Sequence, residues 1–100
     1  MGNLTGTERL IKLIEHAIRA ADTLAEQSLA AWMQQDARMA ADNFRVLLER
    51  AKNGTLQKIN GAGLGITRAL GEWAPKELYE AGVALESYYM DNWEPDETHF

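Results

Sequence analysis

The sequence predicts an all-α fold, a small antiparallel bundle of about four helices, and three observations carry that prediction. Apolar residues recur at intervals of three and four along most of the chain, the period of an amphipathic helix. Asn53-Gly54 and Pro75 punctuate that pattern with residues that end and begin helices. No stretch shows the alternating apolar pattern of a half-buried strand. With 100 residues the chain is long enough for one core and too short for two, so residues 1–100 read as one domain.

The first helix is expected to be long. Thr5 and Glu8 have capping-box spacing, and Leu10, Ile14, Ala17, Ile18, Ala21, Ala25, Leu29 and Trp32 continue one apolar stripe over roughly seven turns. A kink at Asp22-Thr23 is the alternative, because Thr23 and Glu26 repeat the capping-box spacing. Asp36 is read as the cap of a second helix with Ala37, Ala40, Phe44, Leu47, Leu48 and Ala51 on its inner face. Asn53-Gly54 closes it, since glycine adopts the left-handed conformation without steric cost.

A third helix is expected to be weak, short or broken. Leu56, Ile59, Leu64, Ile66, Thr67, Leu70 and Trp73 keep helical spacing, but Gly61, Gly63, Gly65 and Gly71 each cost about 1 kcal/mol relative to alanine in a helix interior. Pro75 opens a fourth helix with Leu78, Ala81, Gly82, Leu85 and Tyr89 buried, and Pro95 ends it. The two ends, 1–6 and 95–100, are expected to be mobile unless Phe100 docks.

Composition removes several functions. At 46% hydrophobic and 25% charged the chain is of globular type. It has no cysteine, which excludes disulfide scaffolds, thiolate nucleophiles and cysteine-ligated zinc and fits a reducing, cytoplasmic setting. Neither a secretion signal nor a membrane span is legible, so the expected chain is soluble. His16 and His99 lack the spacing of a metal site, and no metal or cofactor is expected. Gly61, Gly63 and Gly65 fail as a phosphate loop, with Ile66 where the dinucleotide fingerprint needs glycine and no Gly-Lys-Ser/Thr ending. They read as a bend or a close helix approach. With no nucleophile beside a base, an enzyme is not expected.

Charge is distributed unevenly, and this is the most informative feature. Residues 1–71 carry nine basic and seven acidic side chains, whereas 72–100 carry eight acidic residues against Lys76 alone. Six of the eight aromatic residues, Trp73, Tyr79, Tyr88, Tyr89, Trp93 and Phe100, lie in that acidic arm. Aromatics anchor interfaces and flanking acids steer a basic partner. The expected function is therefore a non-enzymatic protein-binding module, of the inhibitor, immunity or antitoxin type, that covers a basic surface of a nucleic-acid-processing protein. Its expected contacts are Glu86, Tyr88, Asp91 and Trp93, with Glu80 and Glu94 at the rim. The plainer reading is that Trp73, Tyr89 and Trp93 close the bundle while the acids confer solubility. Two rivals remain: a helix-turn-helix-like DNA-binding regulator using Leu56 to Leu70, and a self-assembling protein that packs Met33, Met39, Phe44 and Met90 against a copy of itself.

Overall fold

The structure, a computed structural model, describes residues 6–57 and 63–94. They form four helices, α1 (Gly6–Gln27), α2 (Ala31–Asn53), α3 (Ile66–Gly71) and α4 (Lys76–Asp91), and no strand among the described residues. Expectations for Thr5, Ile59, Gly61, Pro95, Phe100 and the chain ends lie outside the described residues, except that Gly6 opens α1.

Along α1, Leu10, Ile14, Ala17, Ile18, Ala21 and Ala25 form the expected buried stripe. The helix runs unbroken through Asp22 and Thr23 but stops at Gln27 rather than continuing to Trp32. Its end is closed by local hydrogen bonds instead of a glycine or proline. Ser28 Oγ accepts the Ala30 amide at 3.2 Å, and Gln34 Nε2 reaches back to donate to the Ser28 carbonyl at 2.6 Å. Ala30 sits in extended conformation and α2 begins directly after it with no side-chain cap. Asp36 is therefore inside α2 and caps nothing, while Leu29, expected in the core, is fully exposed.

Ala37, Ala41, Phe44 and Ala51 bury the inner face of α2. Gly54 ends the helix at φ 75°, and the amides of Thr55 and Leu56 both turn back to the Arg50 carbonyl. α1 is the central element. Its Asp22 pairs with Arg45 of α2 on one flank, and its Ala20 and Leu24 face α4 on the other. Both neighbours run antiparallel to it: the start of α1 shares a cavity with the end of α2, and Trp93, just past α4, bonds to Thr7. No Cα of α2 lies within 8 Å of a Cα of α4.

α3 is short, as its glycine-rich surroundings imply, and lies against α4 at Gly82. A Cβ there would collide with Leu70 Cδ1 and approach Ile66 Cγ2 to 2.8 Å, so glycine sets the depth of the contact. Pro75 precedes α4 and its carbonyl accepts the Tyr79 amide at 2.9 Å, one residue from its expected place in the first turn. The core joins Leu10, Ile14, Ala17 and Ala21 to Phe44, Leu70, Leu78, Leu85, Tyr89 and Trp93. No helix among the described residues is long and apolar enough to cross a membrane.

Candidate functional site

At about 100° per residue, α4 presents three different surfaces. Leu78, Ala81, Leu85 and Tyr89 are buried in the core, and Gly82 and Glu86 are buried toward α3 and the chain before it. Glu77, Glu80 and Asp91 remain exposed, with Glu72 before the helix and Glu94 after it also exposed.

Glu86 is 7% exposed and does not offer a carboxylate to solvent. Its Oε2 accepts the Gly65 amide at 2.6 Å and its Oε1 accepts the Thr67 amide at 2.8 Å. The physical cause is the start of α3. A helix leaves its first amides without partners, and Gly65, at φ 78° in the capping position, has no side chain with which to satisfy them. A carboxylate from a different helix fills that role and adds charge of the sign that the helix start favours. Gly63 completes the arrangement, because a Cβ at that position would stand 2.5 Å from Glu86 Oε2. Burial pushes the Glu86 carboxyl up, but hydrogen bonds from the Thr67 amide and side chain and from the Gly65 and Leu64 amides outweigh it and hold the group below its ordinary value.

Three aromatic side chains of the arm, Tyr88, Tyr89 and Trp93, are also committed inward. Tyr89 OH donates to the Gln57 carbonyl at 2.6 Å and its ring stacks on Trp93 with centroids 5.4 Å apart. Trp93 is buried, with Nε1 donating to Thr7 Oγ1 at 3.2 Å. Half-buried Tyr88 donates its hydroxyl to the Gly6 carbonyl at 3.2 Å. Together these bonds fasten the end of α4 to the start of α1 and to the chain after α2.

Of the six expected contact residues, the structure turns Glu86 and Trp93 into the interior and half-buries Tyr88. It leaves Glu80, Asp91 and Glu94 on the surface. The exposed acids form a ridge: Glu80 and Asp91 are about 16 Å apart along the helix axis at 1.5 Å per residue. Beside the ridge runs an open groove of about 780 Å³ between α1 and α4. Ala20, Leu24, Leu78 and Ala81 line it together with His16 and Arg19 of α1 and Lys76, Glu77 and Glu80 of α4. His16 is exposed at this groove. Among the described residues no three histidine, aspartate or glutamate side chains are grouped to hold a metal ion.

The cradle of Glu86 was missed by reading the sequence, and only an indirect signal for it existed: a helix start flanked by glycines, with no capping side chain of its own, requires an acceptor from elsewhere. Comparison with protein-family models, curated proteins and solved structures finds no match to this chain.

Proposed function

We propose that this protein is a non-enzymatic binding module whose acidic α4 ridge docks on a basic surface of another protein, within a reducing, cytoplasmic setting. One observation supports the reading above others. Glu72, Glu77, Glu80, Asp91 and Glu94 are all exposed along one element and its flanks, and the sole cation among residues 72–94 is Lys76, whose Nζ is 4.0 Å from Glu80. A carboxylate row of this kind attracts a cationic surface from beyond contact range and suppresses association with nucleic acid and acidic proteins. A partner that itself binds nucleic acid carries the complementary charge, which suits an inhibitor, immunity or antitoxin-like protein that occupies such a site.

The ridge supplies attraction and register, while Tyr89 and Trp93 are engaged inside the fold. Affinity then depends on the carboxylates, on the exposed part of Tyr88 and on the apolar floor of the adjoining groove. Support for the DNA-binding alternative is weaker on physical grounds. α3 has six residues, and the helix start that would approach a DNA groove is occupied by the Glu86 carboxylate.

The test compares the wild type with a Glu80→Lys, Asp91→Lys variant in capture from nuclease-treated and untreated lysate of the source cells. Glu86 is left intact because its reversal would dismantle α3. Retention of a basic protein by the wild type, lost in the variant at unchanged helical circular dichroism, is the expected result. Equal capture by both proteins, or capture that disappears with nuclease, refutes the ridge as a protein-docking surface.

A further inference from the structure

α2 carries a second surface, independent of the acidic ridge. Trp32, Met39 and Val46 recur every seven residues and are 55%, 56% and 54% exposed, an unusual commitment of large apolar side chains to solvent on one helix. On one side of this row lie half-buried Met33, Ala40 and Leu47, so the apolar band continues over the edge of the face that packs on α1. Along the middle of the band run Asp36, Asn43 and Arg50, again seven residues apart. Neither Asp36 nor Arg50 has an ion-pair partner among the described residues.

The order of these three polar residues points to the occupant. A helix reversed on itself about Asn43 places Asp36 opposite Arg50 of the second copy, Arg50 opposite Asp36 of the second copy, and the two Asn43 amides together. In that same register Met39 meets Val46 of the second copy and Ala40 meets Leu47 of the second copy, so each apolar row is matched by an apolar row. Shifting the dyad to Met39 instead sets Asp36 against Asp42 of the second copy. The register that pairs the charges is also the one that overlaps α2 end to end, since Asn43 lies near the middle of Ala31–Asn53. An arbitrary foreign partner gives no reason for this internal symmetry, whereas a two-fold contact requires a self-complementary patch.

We infer that the protein forms an antiparallel homodimer through the outer face of α2, with its two-fold axis at Asn43. The 23 residues of α2 are about 34 Å long, and a band roughly 10 Å wide buries about 700 Å² over both copies. That is below the roughly 1,200 Å² at which stable specific interfaces begin and corresponds to a weak, rapidly reversible dimer of micromolar affinity or weaker. The acidic ridge is on α4, so the dimer stands or falls separately from the proposed partner.

The experiment is sedimentation equilibrium from micromolar to millimolar protein on four samples: wild type, Asp36→Arg, Arg50→Asp, and an equimolar mixture of the two variants. The wild type is expected to dimerise with rising concentration. Each variant replaces two attractive cross-pairs by two repulsive ones, raising the dissociation constant about tenfold or more. The mixture restores the wild-type constant. In it the Asp36→Arg chain is cationic at both positions and the Arg50→Asp chain anionic at both, so opposite charges meet at each end. Met39→Lys, at an exposed site, abolishes the dimer without loss of helical circular dichroism. A wild type that remains monomeric through the millimolar range overturns the proposal. So does a dimer indifferent to the single reversals, or a mixture no tighter than its components.

Discussion

Replacing Glu86 by glutamine changes the molecule at one atom and tests how α3 is held. The substitution preserves size but exchanges one carboxylate oxygen for an amide donor, which then faces the amide of Gly65 or of Thr67. One charge-assisted hydrogen bond is lost and one shielded N–H is left unsatisfied, together about 2–3 kcal/mol. A domain of this size holds about 5–15 kcal/mol in total, so the loss is a substantial fraction of stability. With a urea dependence of roughly 1–2 kcal/mol per molar, the midpoint falls by about 1–3 M, read at pH 7 by far-ultraviolet circular dichroism and by tryptophan fluorescence. The pH dependence supplies a second readout. Because the folded carboxyl is held below its ordinary value, its contribution is complete above 4.5 and disappears as pH falls through the folded value. The gap between wild type and Glu86→Gln therefore narrows as pH falls below 4.5. A midpoint shift under about 0.3 M at pH 7, or a gap that does not narrow in acid, refutes the view that this carboxylate secures the start of α3.

Three further substitutions probe other contacts. Gly82→Ala gains about 1 kcal/mol of helix propensity but drives a Cβ into Leu70 and into the stiff, β-branched Ile66, and a net loss of about 1–2 kcal/mol in urea unfolding is expected. Trp93→Phe keeps the stack on Tyr89 and removes the bond to Thr7, costing about 1–2 kcal/mol, which a shift in thermal midpoint measures. Leu29→Ser, at a fully exposed turn residue, leaves the urea midpoint within about 0.5 kcal/mol of the wild type.

Local signals made much of the fold legible. The apolar period gave the inner stripe of α1, Gly54 marked the end of α2, Pro75 the approach to α4, and the glycines the weakness of α3, because each acts through its own backbone or its near neighbours. The end of α1 was not legible, since the apolar spacing continues through Leu29 and Trp32 and the turn is closed by Ser28 and Gln34, residues also common inside helices. The roles of Glu86 and Trp93 were hidden for a related reason, whereas Tyr89 stands in the core where the apolar period puts it. Glu86 and Trp93 bond to backbone or side chain from 19 to 86 residues away, and nothing in their immediate sequence distinguishes an inward carboxylate or indole from an outward one. Glu80 and Asp91, which have no such distant partner among the described residues, stand on the surface where charge alone puts them.

The central place of α1 divides the chain into two helical hairpins, α1 with α2 and α3 with α4, that meet chiefly along α1. α1 with α2 forms from residues near in sequence, across a turn of residues 28–30, while α4 packs on the other flank of α1 and α3 packs on α4. That second hairpin is tied down chiefly at one extremity, by bonds to Gly6, Thr7 and Gln57, and borders an open groove toward the other. It is expected to open ahead of the α1 and α2 pair. Amide protons of α3 and α4 should therefore exchange with solvent together, at a lower opening free energy than those in the middle of α1, making the acidic half of the molecule its more yielding half.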